Sequence, residues 1–238
     1  LCPLGFRAHP WLSEETASDS AVGTSGNYGL MDKIAALQWV KRNIEVLGGD
    51  PQNVTIFGQS AGSQSVCSLM TAPGAQGLFH KAIGQSAACV NQLTKADANG
   101  HERGQALVDA LGASSIEDLR GAEPDALLVA MTKSNWESES RIVIDGRVLP
   151  RWPHEVFAAG EQSDIPLMLG FLADEGYELF EVESALTEAE LQGFLEYVGG
   201  KRAAELKAEY DAASMTPGEL KHAISTDLFM AYGMRQWA

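Results

Sequence analysis

The chain has 238 residues, of which 45% are apolar, so it is long and apolar enough to bury a full hydrophobic core. Its 32 acidic and 17 basic side chains give a formal net charge of -15. A surface of this charge repels phosphate backbones and anionic lipid headgroups, so we expect no nucleic acid and no membrane surface as partners. No apolar run approaches the roughly 18 residues of a membrane span, and no basic-then-apolar signal peptide opens the chain.

The cysteines point to no structural or metal site. Cys2, Cys67 and Cys89 are too few and too scattered for a disulfide framework, and none lies in a CxxC or Cys/His pattern typical of zinc. We interpret them as buried free thiols. With the many alanines and the acidic surface, this composition favours a bacterial, cytoplasmic, disulfide-free protein.

The predicted elements begin after an irregular, turn-rich segment of 26 residues. Apolar residues at helical spacing predict a first helix that ends at Gly48-Gly49. The β-branched run 54–57 then predicts a buried strand, and residues 61–70 predict a helix that ends before Pro73. The apolar positions of the first helix are Leu30, Ile34, Leu37, Ile44 and Leu47.

The alternation continues along the chain and predicts the fold. Beyond residue 180 the pattern is helical and acidic, with Thr187 and Pro217 as start signals. Strands and helices in alternation are typical of an α/β fold, in which a mostly parallel sheet carries helices on both faces. We treat residues 1–238 as one α/β domain whose region 181–238 is mainly helical. Further strands are predicted at 82–84, 142–144 and 165–169, and helices at 102–111, 115–120, 124–132 and 153–159.

The strand at 54–57 leads directly into Gly58-Gln59-Ser60-Ala61-Gly62, a GxSxG motif between a strand and a helix. A serine hydroxyl is a weak nucleophile, so an enzyme exposes it on a strained turn and places backbone N–H groups where the oxyanion forms. The flanking glycines let strand and helix approach closely, and the N–H of Ala61 at the helix start faces the oxyanion. The alternative is a purely structural turn.

Several separated motifs resemble, in their order, the type-B carboxylesterase family, which includes cholinesterases and bacterial esterases. They are Asn27-Tyr28-Gly29-Leu30-Met31-Asp32, Ala36-Leu37-Gln38-Trp39-Val40, Gly48-Gly49-Asp50-Pro51, the GQSAG motif, Gly77-Leu78-Phe79, Asp145-Gly146 with Leu149-Pro150, and Pro166-Leu167-Met168-Leu169-Gly170 with Asp174-Glu175-Gly176. The resemblance covers about Leu4 to Phe180. It departs at Gln59, where the family usually has glutamate.

The resemblance implies an α/β-hydrolase fold and hydrolysis of small-molecule carboxylic esters through an acyl-enzyme, with no metal or organic cofactor. The implied triad runs Ser60, Glu175 and a later histidine. Glu175 follows a predicted strand, and functional groups gather beyond the carboxyl ends of strands in open α/β sheets. Without the resemblance, Asp174 and Glu175 would be interpreted as solvated loop acids. Ser86 matches a supporting serine of the family or is an ordinary hydroxyl at a strand end.

Two parts of the family's machinery have no counterpart in this sequence. No His-Gly-Gly oxyanion loop precedes Ser60, and only His222 follows Glu175, in a helical context unlike the family's histidine loop. His80, His101 and His154 precede the acid, so we interpret them as surface or packing residues. We therefore expect an internal fragment of a bacterial-type member that is inactive alone because its catalytic histidine lies outside this chain.

Two other functions remain open at the level of sequence. Some members of the family are non-catalytic adhesion or binding proteins, although these commonly lose the serine that this chain keeps at position 60. An acyltransferase or amidase would use the same acyl-enzyme. Ester specificity and oligomeric state cannot be deduced from the sequence.

Overall fold

The computed structural model describes residues 27–90, 101–134, 142, 144–175, 186–210 and 214–238. Helices and strands alternate in the first part of the chain, as the sequence predicts. In order, these elements are helix α1 (Tyr28–Asn43), strand β1 (Thr55–Gln59), helix α2 (Ala61–Thr71), strand β2 (Lys81–Gln85), helices α3 (His101–Leu111), α4 (Ile116–Gly121), α5 (Pro124–Lys133) and α6 (Pro153–Ala158), and strand β3 (Leu167–Gly170).

The three strands form a parallel sheet in the order β1-β2-β3. Short apolar and β-branched runs of this kind suit strands that are covered by other elements. Parallel strands end at the same edge of a sheet, so the residues that follow β1, β2 and β3 come together there. This arrangement confirms the expected parallel sheet and brings positions 60, 86 and 171 to one edge.

Side chains of the sheet alternate between a covered face and an open face. On the covered face, Gly84 lies so close to the buried Trp237 that a Cβ atom at this position would come within 2.3 Å of the indole ring. On the other face, Phe57, Ile83 and Met168 lie in register across the sheet, and Phe57 and Met168 are 75% and 66% exposed. A helix covering this second face stays a prediction.

The last part of the chain is helical, as expected from its sequence. Thr187 and Thr216 each begin a helix with a capping box, in which the threonine hydroxyl accepts from the backbone N–H of Glu190 or Glu219. No helix in the described ranges has the length and apolar character needed to cross a bilayer. The helices are α7 (Glu188–Gly199), α8 (Ala203–Ala208), α9 (Pro217–Thr226) and α10 (Tyr232–Trp237), with a π-helical turn at Asp227–Ala231.

The strand predicted at 142–144 is wrong for its two described residues. Ile142 and Ile144 have no regular secondary structure, although both pack against the main hydrophobic core. The turn that follows explains the difference, because Asp145 Oδ1 accepts hydrogen bonds from the N–H groups of Arg147 and Leu149, each at 3.0 Å. The chain therefore turns at Asp145 and buries its isoleucines without pairing to the sheet.

The interpretation of Cys67 and Cys89 as free thiols is also wrong. The two residues form a disulfide between α2 and the segment after β2, with their Cα atoms 5.6 Å apart. A single bridge needs only two cysteines in contact, and the packing of α2 beside the end of β2 supplies that contact. The expectation of a disulfide-free protein is therefore wrong as well, and the cytoplasmic location stays a prediction.

Candidate active site

Ser60 lies at the tip of a strained turn between β1 and α2. Its φ of 52° and ψ of -121° are unusual for a residue with a side chain. Two hydrogen bonds hold it there: its N–H donates to the carbonyl of Gln85 at 2.9 Å, and its carbonyl accepts from the N–H of Gln64 at 3.0 Å. The surrounding structure thus holds the backbone of Ser60 in this conformation at the edge of the sheet.

The close approach of β1 and α2 depends on Gly58 rather than on both glycines of the motif. A Cβ at Gly58 would lie 2.3 Å from the carbonyl carbon of Gly62, closer than real Cβ atoms come to any backbone atom. A Cβ at Gly62 would meet no heavy atom within 4 Å outside its own helix. Gln59 is the exposed last residue of β1. The expected steric need for glycine is therefore found at Gly58 and is not found at Gly62.

We expect Gly58→Ala to destabilise the protein by about 3 kcal/mol or more, because the backbone of the elbow must move to admit the methyl group. Gly62→Ala is the matched control. It should be neutral or stabilising by up to about 1 kcal/mol, because alanine is the better helix former. Urea unfolding followed by circular dichroism measures both changes. Equal destabilisation by the two substitutions would show that the contact between Gly58 and Gly62 does not limit the elbow.

Ala61 is the first residue of α2 and directly follows Ser60. The first N–H groups of a helix have no partner within the helix, and the helix dipole concentrates positive potential at them. An oxyanion that forms on a group attached to Ser60 would therefore meet the N–H of Ala61 and the positive end of an 11-residue helix. The role of Ala61 as an oxyanion donor stays a prediction.

Ser86 and Glu175 come together at the ends of the next two strands. Ser86 follows β2 with a left-handed φ of 54°, and its N–H donates to the carbonyl of Gly170 at 2.9 Å, the last residue of β3. Its hydroxyl donates a short hydrogen bond to Glu175 Oε1. The same oxygen accepts from the N–H of Leu172 at 2.9 Å. Neither of these two hydrogen bonds uses Oε2.

Burial separates the two acids of the loop after β3. The Glu175 side chain is only 6% exposed and has the two hydrogen bonds that a buried carboxylate needs, whereas Asp174 is exposed. Solvated loop acids would both be exposed and mobile. This difference supports the interpretation of Glu175, rather than Asp174, as the acid of the site.

The structure describes the side chains of three histidines, and each of them has a structural position. His80 Nδ1 accepts from the N–H of Val54 at 3.2 Å, and His154 stacks on Trp152. His222 is buried on α9, which packs mainly against α7 and the π-helical turn rather than against the sheet. Among the described His, Cys, Asp and Glu side chains, no group of three or more could hold a metal ion.

The structure adds two features that were not predicted from the sequence. The N–H of Leu172 anchors Glu175, and a backbone donor has no signature in sequence. The hydroxyl of Ser63 and the disulfide of Cys67 both connect α2 to the segment after Ser86. A sequence signal exists for the second feature, because Ser63 and Cys67 are four residues apart and so lie on one face of a helix.

Comparisons with known proteins agree on one family. The pattern of the carboxylesterase family matches residues 12–232. Para-nitrobenzyl esterase of Bacillus subtilis is 40% identical over 220 residues, which cover 88% of this chain and 42% of the relative. Fumonisin B1 esterase of Sphingopyxis macrogoltabida is 36% identical over 221 residues, which cover 89% of this chain and 38% of the relative. The chain thus spans less than half the length of these relatives.

Solved structures confirm the fold. A carboxylesterase of Geobacillus stearothermophilus, crystallised at pH 6.2, superposes with a TM-score of 0.78 at 31% identity, covering 97% of this chain and 50% of the other. A para-nitrobenzyl esterase structure gives a TM-score of 0.73 at 34% identity, covering 93% and 48% of the two chains. The expected α/β-hydrolase class is therefore correct, and the chain corresponds to about half of such a molecule.

Proposed function

Because this chain belongs to the carboxylesterase family, we propose that it supplies the nucleophile and the acid of a serine carboxylic ester hydrolase. One observation carries the proposal: the strained Ser60 and the buried pair of Ser86 and Glu175 lie beyond the carboxyl ends of adjacent parallel strands. This edge is where α/β enzymes bind their substrates. Backbone hydrogen bonds from Ser60 to Gln85 and from Ser86 to Gly170 connect the three positions.

The proposed reaction proceeds in two halves through an acyl-enzyme. Ser60 Oγ attacks the ester carbonyl carbon while a histidine takes the hydroxyl proton, and the tetrahedral oxyanion accepts from the N–H of Ala61. The histidine returns the proton to the departing alcohol, and the acyl group stays on Ser60. Water, deprotonated by the same histidine, then releases the carboxylic acid. Glu175 orients the histidine through a hydrogen bond and stabilises its cationic form.

We propose that this histidine lies outside these 238 residues. His222 follows Glu175 in the chain, but its helix packs mainly on α7 and on the π-helical turn. A base must come within about 3 Å of the serine hydroxyl, or act through one water molecule. An enzyme containing this chain and a further segment would satisfy that requirement.

The substrate that fits best is a small or medium-sized uncharged ester. The formal charge of -15 disfavours anionic substrates, because like charges lower the concentration of such molecules near the surface. Two relatives are named esterases, which supports an ester as the substrate. An acyltransferase or amidase would share the acyl-enzyme and differ only in the molecule that attacks it.

The experiment that tests the function measures product partition in the enzyme that contains this chain together with its histidine. It is given p-nitrophenyl butyrate with and without added methanol or an amine. We expect butyric acid to be the main product at low acceptor concentration, and Ser60→Ala to abolish its release. Predominant transfer to a dilute alcohol or amine would indicate an acyltransferase. Absence of any Ser60-dependent product would favour the non-catalytic relatives, even though both Ser60 and Glu175 are retained.

A further inference from the structure

One hydrogen bond and one disulfide hold the segment after β2 against α2, the helix that begins directly after Ser60. The hydroxyl of Ser63 donates to the carbonyl of Ala87 at 2.5 Å, and Cys67 forms the disulfide with Cys89. Ser63 and Cys67 are one helical turn apart on α2, and both are fully buried. Residues 87–89 are therefore held against α2 at two successive points.

The segment held in this way begins with Ser86, the residue that binds Glu175. Ser86 has a left-handed backbone conformation, which a serine keeps only where its surroundings enforce it. If the segment after it relaxed, the N–H of Ser86 would leave the carbonyl of Gly170 and its hydroxyl would leave Glu175 Oε1. The position of the Glu175 carboxylate thus depends on what holds residues 87–89.

We propose that the Cys67–Cys89 disulfide is a positioning device for Glu175 that acts through Ser86, so that the activity of the site depends on the oxidised state of this cysteine pair. The proposal rests on the proposed function, in which Glu175 orients the catalytic histidine. Cys89 is only partly buried, whereas Cys67 is fully buried. Dithiothreitol reduces the bond by two thiol–disulfide exchanges, which leave two protein thiols and the cyclic oxidised reagent.

A disulfide that only stabilised the fold would behave differently. It would raise the melting temperature by restricting the unfolded chain, without altering the loop after β3 in the folded protein. A positioning role predicts faster hydrogen exchange at Ser86 and Leu172, whose N–H groups donate to Gly170 and Glu175. It also predicts a fall in kcat with little change in KM, because the orientation of the base matters in the chemical step.

The first test measures hydrogen exchange by mass spectrometry on this chain, with and without the disulfide. We expect Cys67→Ala/Cys89→Ala to speed exchange in peptides covering 84–90 and 171–175 at least about tenfold, with helix α7 unchanged as the internal reference. Cys2→Ala is the matched control and should leave all three peptides unchanged. If the double variant does not fold, folded wild-type protein reduced with dithiothreitol replaces it. Two outcomes would overturn the proposal. One is a count of three free thiols in wild-type protein that is unfolded without a reductant, which would mean that no disulfide forms. The other is unchanged exchange at 171–175 after loss of the bond.

The second test uses turnover in the enzyme that contains this chain and its histidine. The double cysteine variant should lose about 10- to 100-fold in kcat, with KM within about twofold of wild type. Ser86→Ala should cost much less in that background than in the wild type, because both changes release the same carboxylate. Fully additive losses would refute a route through Ser86. If instead Ser60→Ala left turnover intact, the proposed function would fail, while the exchange result at Glu175 would still stand on its own.

Discussion

These 238 residues alone should hydrolyse p-nitrophenyl acetate or butyrate at rates close to background. Ser60 is a neutral alcohol unless a base lies within hydrogen-bond reach, and the helix that carries His222 packs on α7. Loss of a triad member costs on the order of 10⁴ to 10⁶ in turnover, and loss of an oxyanion donor about 10² to 10³. These two effects are not additive, but either one is sufficient for the predicted result.

The assay compares the purified chain with its Ser60→Ala variant over a range of ester concentrations. The expected result is the same slow, non-saturable hydrolysis by both proteins. Saturable, Ser60-dependent turnover above about 1 s⁻¹, an ordinary enzyme rate, would show that a base is present. The His222→Ala variant would then reveal whether His222 or a histidine from a second copy of the chain is that base.

Glu175→Gln should lower kcat by roughly 10³ to 10⁴ in the enzyme that carries the catalytic histidine. The amide oxygen of glutamine can still accept from Ser86 and from the N–H of Leu172, so the loop should keep its structure. The negative charge that stabilises the histidine cation is lost, and the amide nitrogen favours the wrong tautomer of the imidazole. We therefore expect a large fall in kcat with little change in the melting temperature.

Asp174→Asn is the matched control for this substitution. It also removes one negative charge, from the adjacent position, but the side chain of Asp174 is exposed. We expect less than about a threefold change in kcat, because exposed charges interact weakly with the site. Thermal unfolding of both variants checks that each is folded. Equal losses of activity would mean that the loop after β3 matters only for its structure, or that the acid of the triad is Asp174.

Local sequence signals were sufficient to predict the elements that form the site. A β-branched run followed by GxSxG identified β1, the turn at Ser60 and α2, and a short apolar run identified β3 before Glu175. These elements have strong signals of their own, such as glycines at the turn and small residues in the helix. The helix starts at Thr187 and Thr216 likewise depend on a few adjacent residues.

Features that depend on distant contacts were not predictable in the same way. The apolar residues at 142–144 have the composition of a strand, but tertiary packing buries Ile142 and Ile144 without a partner strand. The pairing of Cys67 with Cys89 depends on where α2 lies relative to the end of β2. The sequence left Ser86 open between two roles and did not indicate its hydrogen bond to Glu175. Its supporting role stays a prediction.

Covalent modification by a fluorophosphonate reports whether Ser60 is an activated nucleophile, because an ordinary serine does not attack such reagents at useful rates. The measurement is peptide mapping by mass spectrometry after treatment of the enzyme that contains this chain and its histidine. The account predicts one adduct, on the peptide containing Ser60, and its loss in Ser60→Ala while Ser86→Ala still reacts. An adduct on Ser86, or labelling that persists in Ser60→Ala, would contradict the assignment of the nucleophile.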